Sequence, residues 1–367
     1  MELKKEYWII YRAAYSRKPI SDSVIEDIKR IYYSDGRECI EEAAKRKKIV
    51  PALAKLFVTL DIDKDYWERI VIKYRKRNQL IISALDKMYS LLRENGITRI
   101  AVVENFGALL ASSSDLCLFG SGDVDEYADC DDRERIYEIL QDNGYKITEV
   151  KAGNNLISTS IYNYTTLPED FHFGINWDVT CRINLPCFTS NGSFVDWNEC
   201  SYYKDTNIRI PSKESLMYIC LMHIAVHGFC KAPDIRLYFD IANAAENGLN
   251  WNIIEAFSHR DDNCVKVAMA AYLSKKLLGV DIPDNIINMG NRKQFSLLKK
   301  VVYDEKNNAL YDFPNAKDRL LIEIYSNDFG KFSGFLSIIF PDKDWIKNKY
   351  GSVGIGRIKH IIGLIKR

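Results

Sequence analysis

The chain carries almost no net charge: 51 Lys and Arg stand against 50 Asp and Glu, a formal +1 over 367 residues. A globally basic nucleic-acid binder is therefore not expected, and any phosphate-binding surface has to be a local patch. No CxxC pair occurs among the nine cysteines (Cys39, Cys117, Cys130, Cys181, Cys187, Cys200, Cys220, Cys230 and Cys264), which removes a zinc ribbon or a dithiol redox motif. No run of about 18 apolar residues is present to cross a bilayer. The opening Met1-Glu2-Leu3-Lys4-Lys5 lacks the apolar core of a secretory signal. These absences lead to the expectation of a cytoplasmic protein with reduced, mostly buried thiols. G-x-S-x-G and HExxH are both missing, so neither a serine-hydrolase elbow nor a zincin helix is supported.

What is present suffices for a full core. Hydrophobic residues make up 47% and aromatics 12%, enough for two domains or one with a helical appendage. Residues 1–96 read as helices, with apolar positions at helical spacing in Val24-Ile25-Ile28-Ile31 and Leu80-Ile81-Leu85-Met88-Leu91-Leu92. Asn95-Gly96 closes that run, because this pair tolerates positive φ. The period changes at Ile97. Ile100 to Val103 reads as a strand, Gly107 to Ala111 as a helix, and Gly120-Ser121-Gly122 as a turn before the alternating Asp123-Val124-Asp125-Glu126-Tyr127. Asp131 or Asp132 is expected to cap the next helix, which Gly144 ends. Tyr145–Val150, Leu156–Tyr162 and Phe171–Ile183 read as further strands. The helical period returns at Pro211-Ser212. The expected division is thus a helical segment over 1–96, an α/β core over 97–210 and a helical domain over 211–367.

Asp123 and Asp125 carry the chemistry. At i and i+2 on a strand, they project from one face and can reach one Mg²⁺, a hard cation that prefers oxygen ligands. Such an ion bridges phosphate oxygens and neutralises charge developing in an in-line displacement. Gly120 and Ser121 bring backbone N–H groups close enough to approach phosphates. By itself a DxD on a strand is as well explained by a solvated acidic edge.

The surrounding segments add specificity. Lys48-Ile49-Val50-Pro51-Ala52-Leu53, Gly107-Ala108-Leu109-Leu110, Gly122-Asp123-Val124-Asp125, Asp142-Asn143-Gly144-Tyr145, Leu221 to Gly228 and Arg236 to Ala242 occur in an order that resembles a bacterial family of uncharacterised nucleotidyltransferases. These are distant relatives of aminoglycoside nucleotidyltransferases with a polymerase-β-like core. The resemblance covers about 40 to 345, with Trp251 and Leu277-Leu278-Gly279 to Pro283 extending it. It implies an α+β fold, a mixed sheet flanked by N- and C-terminal helical segments. It also implies Asp123 and Asp125 as metal ligands, Gly107, Gly120 and Ser121 beside the nucleotide, and Mg²⁺ as cofactor.

Three departures qualify the resemblance. Phe106 stands where the family places a Lys, and Leu118-Phe119 stand where an Arg belongs. Gly174 occupies the place of the third carboxylate, with Asn176 at the following histidine position. Strand parity puts His172, Gly174, Asn176 and Asp178 on one face, so Asp178 could supply that carboxylate about 6–7 Å further on. The other reading is an inactive or repurposed pocket.

His223 and His227, four apart on a helix, share a face with Leu216, Ile219 and Cys220, which favours packed interior positions. A substrate-pocket role is the functional reading for them, and for Asp240. The basic runs Lys45-Arg46-Lys47-Lys48 and Lys73-Tyr74-Arg75-Lys76-Arg77 read as solvated helix faces, and the basic C-terminal Gly356–Arg367 as a helix packing its Ile and Leu residues on the body. The expected function is transfer of a nucleoside monophosphate from an NTP, ATP foremost, to a small-molecule acceptor. Alternatives are a catalytically degenerate binding or regulatory protein on the same fold, and a toxin-like transferase acting on tRNA.

Overall fold

The computed structural model describes residues 6–16, 18–112, 114–152, 155–163, 171–177, 195–229, 234–245, 248–311, 316–326, 340 and 343–365. The chain opens with α1 (Tyr7–Ala14), α2 (Asp22–Asp35), α3 (Arg37–Arg46), α4 (Val50–Thr59) and the 31-residue α5 (Lys64–Glu94). On α5 the residues Trp67, Val71, Asn78, Ile81, Leu85, Met88 and Leu92 are buried, at spacings of three, four and seven that make one stripe. Gly96, at φ +79°, closes the helix as its sequence predicts.

The sheet follows. Its elements are β1 (Ile100–Val102), α6 (Glu104–Ala111), β2 (Asp123–Ala128), α7 (Arg133–Asp142), β3 (Lys146–Ala152), β4 (Asn155–Tyr162) and β5 (His172–Trp177). The five strands lie in the order β1-β2-β5-β4-β3, antiparallel except for the parallel pair β2–β5, where Asp123 stands opposite His172 and Asp125 opposite Gly174. Val124, Phe173, Ile175 and Trp177 turn from the sheet into a core shared with Ile81, Leu85, Met88 and Phe106 of the helices. That alternation sends Asp123 and Asp125 to the other face.

A hairpin of β6 (Ser201–Tyr202) and β7 (Arg209–Ile210) leads to α8 (Lys213–Val226), α9 (Asp234–Ala245), α10 (Trp251–Arg260), α11 (Cys264–Leu278), α12 (Asp284–Asn288) and α13 (Arg292–Val301). A second hairpin, β8 (Tyr303–Asp304) and β9 (Ala309–Leu310), interrupts the expected run of helices. Then come α14 (Ala316–Tyr325), α15 (Lys343–Tyr350) and α16 (Val353–Ile365). A second hydrophobic cluster joins the N-terminal helices to the helices after the sheet, with the rings of Tyr15 and Phe239 4.2 Å apart. No helix among the described residues is long and apolar enough to cross a membrane.

Several expectations are corrected. The turn before α7 is capped by Asp129, whose carboxylate accepts from the Asp131 N–H at 2.9 Å, while Asp132 offers α7 no side-chain cap. Of the six described cysteines, only Cys117 and Cys220 are buried, and Cys39 and Cys130 are exposed. On α16, Ile355, Ile358 and Ile362 face solvent rather than the body, whereas His360 is buried beside Tyr350. The reading of 178–183 as strand lies outside the described residues.

Candidate active site

Two strands and one turn place the acidic pair. The Val103 N–H donates to the Asp125 carbonyl at 2.9 Å, fixing the end of β1 beside β2 just before the chain turns into α6. Asp123 and Asp125 are half-buried on the face of the sheet opposite Val124. The Ser121 hydroxyl, itself buried, donates to Asp123 Oδ1 at 2.5 Å. On the far side, a Cβ built on Gly174 would meet Asp125 Oδ1 at 3.5 Å, an ordinary contact, so β5 leaves open space there.

The carboxylate that does stand against Asp125 comes from the opposite direction. Glu104, first residue of α6, is hydrogen-bonded to Asp125. It holds φ at +53°, a left-handed conformation that costs a non-glycine residue about 1–3 kcal/mol and often marks a functional turn. His223 Nδ1 on α8 lies 2.7 Å from Glu104 Oε2, with 16% and 18% of the two side chains exposed. Burial, reinforced by the charge on Asp123, lifts the Glu104 carboxyl to about 7, although the bond to Asp125 and the charge of Arg236 oppose the rise. Burial likewise raises Asp125 well above the carboxylate range, and the neighbouring Glu104 and Asp123 add to it. Burial pushes His223 down to about 4 despite the pull of Asp125. At neutral pH the His223–Glu104 contact is therefore a hydrogen bond to a neutral imidazole, not an ion pair.

Two further groups of the Arg236–Ala242 segment join this cluster from α9, which packs with α8 against α6. Asp240 is 4% exposed; burial, with Glu104 and Asp125 nearby, lifts it to about 8 against the opposing charge of Arg236. The His227 ring lies tilted against that of His223, ring centres 4.6 Å apart. The interior reading of the two histidines thus gives way, for His223, to a direct contact with the acidic cluster.

A second arm reaches the site from α5. Arg77, expected on a solvated helix face, lies between the rings of Phe119 and Phe171, 5.8 and 5.1 Å from its guanidinium carbon. Its Nη2 donates to the Ser121 carbonyl at 2.5 Å, and its charge reaches Asp123. Burial depresses its pKa. Next to it the fully buried Asn78 donates to the carbonyls of Leu116 and Phe119 at 2.5 and 2.9 Å, holding the loop that precedes β2. Arg75 pairs with Asp115, which Lys55 of α4 also approaches, and Lys45 and Arg46 pair with Glu41 and Glu42, so Arg75, Lys45 and Arg46 of the two basic runs are engaged within the protein.

Other expected site residues are placed as follows. Gly107 sits where a Cβ would meet the Val102 carbonyl at 2.7 Å and Leu216 Cδ2 at 3.0 Å, so its bareness serves the packing of α6 on β1 and α8. Gly120 packs against Pro51, whose Cγ would lie 3.0 Å from an added Cβ. Asp178 lies outside the described residues. Glu104 gave no sequence signal beyond a charge ending an apolar run, and Arg77 was hidden in a basic one. Among the described residues, the ligand atoms that all lie within 4.8 Å of one another belong to Asp129, Cys130 and Asp131. That trio suits a hard cation poorly: it includes a thiol, and Asp129 is already held by Arg99 at 2.7 Å. The carboxylates of Asp123, Asp125 and Glu104 are a better donor set for Mg²⁺. In the structure Asp123 is drawn to Ser121 and Asp125 to Glu104, so closing them on an ion takes side-chain rotation.

A strand, a turn and a helix followed by a strand bearing two carboxylates, within a mixed five-stranded sheet, is the core of a nucleotidyltransferase. The family model described as "Uncharacterised nucleotidyltransferase" matches residues 36–279, well over half of the chain. The chain belongs to that family, as a divergent member. No curated protein matches its sequence. Two solved structures of ANT(2'')-Ia resemble it distantly. One is of that antibiotic-resistance factor in solution, at 10% identity and TM-score 0.34, over 49% of this chain and 89% of the other. The second is of ANT(2'')-Ia in complex with adenylyl-2''-tobramycin, at 9% identity and TM-score 0.33, over 48% and 94%. Likeness at this level adds no argument to the family assignment.

Proposed function

We propose that this nucleotidyltransferase moves a nucleoside monophosphate from an NTP, ATP foremost, to a small-molecule acceptor, with Asp123 and Asp125 holding Mg²⁺. The observation that carries the reading is the gathering of Glu104 with Asp123 and Asp125 of β2. The oxygen-only donor set fits the ion, and Glu104 and Asp125, raised chiefly by burial and further by their acidic neighbours, are carboxyls that a bound cation would favour in the ionised form. When bound, the ion supplies charge neutralisation for the phosphates. Glu104, rather than a residue of β5, provides the third carboxylate among the described residues, with Asp178 as the other candidate. Ser121 orients Asp123, and Arg77 holds the Ser121 carbonyl. The acceptor hydroxyl or amine enters where α8 and α9 face the end of β2. Its oxygen or nitrogen bonds to the α-phosphorus, pyrophosphate departs, and a site carboxylate takes the proton.

The test is pyrophosphate release from Mg²⁺-ATP with a panel of small hydroxyl and amine acceptors. Asp123→Ala combined with Asp125→Ala is expected to bring release to background. Turnover unchanged in that double variant sinks the assignment. The bare Gly174 beside Asp125 favours a second reading, a degenerate module, which predicts nucleotide binding indifferent to Mg²⁺ and no pyrophosphate.

A further inference from the structure

Arg236, near the start of α9, is buried at two of its guanidinium nitrogens, Nε and Nη1, and neither has a hydrogen-bond partner. The charges around it make this unusual. Glu104 on α6 and Asp240, one turn along the same helix, both feel its charge, as does His223 on α8. Yet it donates through these nitrogens to neither carboxylate. A buried cationic donor without an acceptor is costly, and native proteins seldom keep one unless something else fills the place. Guanidinium is also the group best matched to phosphate oxygens, being planar, permanently charged and lined with donors.

The other cation close to the acidic pair is already committed: Arg77 spends its Nη1 on Asn78 and its Nη2 on Ser121, on the Asp123 side. Arg236 reaches the cluster from α9, where its charge acts on Glu104, Asp240 and His223. A nucleotide whose phosphates meet a cation at Asp123 and Asp125 would bring further phosphate oxygens into the cluster that holds these buried, unmet donors.

We propose that Arg236 binds the phosphate chain of the nucleotide, taking non-bridging oxygens on its Nε and Nη1 edges. The inference rests on the reading of the site as an NTP site and adds the group that grips the triphosphate. A phosphate ligand is favoured over an anionic acceptor because the unmet donors border the carboxylates that would hold the ion, where phosphate oxygens must lie.

Calorimetric titration of wild type, Arg236→Gln and Arg236→Lys with ATP, AMP and inorganic tripolyphosphate, all with Mg²⁺, tests it. Arg236→Gln should lose about tenfold or more in affinity for ATP and tripolyphosphate, the loss of one or two charged hydrogen bonds, with AMP little changed. Arg236→Lys should recover part of the loss. Equal ATP affinity in wild type and Arg236→Gln overturns the proposal, as does a loss shared equally by AMP. Thermal melts of each variant separate unfolding from lost binding. If wild type binds tripolyphosphate through Arg236 but releases no pyrophosphate from ATP, the transfer reading fails while this inference stands.

Discussion

Replacing Glu104 by Gln should stabilise the metal-free protein at alkaline pH, although it alters the centre of the site. The carboxyl is raised from 4.5 to about 7, chiefly by burial, and each unit is worth about 1.4 kcal/mol, so ionising it in the fold costs roughly 3 kcal/mol. The sign follows from linkage. A folded acid that holds its proton more tightly than the unfolded chain does costs nothing below the unfolded pKa. Stability then falls as pH rises from 4.5 through about 7, and the full penalty stands above that. Gln has nearly the same shape, can still face His223 Nδ1, and carries no charge against Asp125. Some of the gain is lost in a weaker hydrogen bond, so about 1–3 kcal/mol should remain near pH 8.5. Urea titrations with a chelator present, near pH 8.5 and again near pH 5, measure it. The difference should shrink at the lower pH. Added Mg²⁺ should reverse the order, because only the wild type offers the third carboxylate. A variant less stable than wild type near pH 8.5 without metal, or a gain that does not shrink with acid, refutes the argument.

Other perturbations follow from single contacts. Asn78→Ala removes the side-chain donor to the Phe119 carbonyl and one of the two donors to the Leu116 carbonyl, and should cost about 1–3 kcal/mol, seen as a lower urea midpoint. Gly107→Ala drives a methyl into the Val102 carbonyl at 2.7 Å and should destabilise by about 1–3 kcal/mol in a thermal melt, whatever its effect on nucleotide. Gly174→Asp meets nothing closer than 3.5 Å and should leave the fold intact while tightening Mn²⁺ binding by calorimetry; a loss of Mn²⁺ affinity would contradict the placement of the ion.

Local pattern made the fold legible. The single buried stripe of α5, the stop at Gly96 and the parity that sends Val124 inward and Asp123 and Asp125 outward are all periodicities of near neighbours, which the chain displays directly. What misled was side-chain context. The Ile residues of α16 show an apolar face in sequence, but burial depends on what lies opposite, and Ile355 and Ile358 face solvent. Arg77 looked like one more cation in a solvated run, because nothing local announces that Phe119 and Phe171 will come to lie against it.

The same division holds at the site. Sequence alone determined that two carboxylates share one face of a strand after a Gly-Ser-Gly turn, since a spacing of two along a strand requires it. The resemblance to the family also set Gly174 at the position expected for a third carboxylate. Only the tertiary structure decided which groups stand against Asp125. Glu104, His223, Arg236 and Asp240 are separated by up to 136 residues in the chain (240 − 104) and meet because α8 and α9 pack on α6. The physical reason is that charge, burial and unmet donors belong to the space between elements, where no run of neighbouring residues records them.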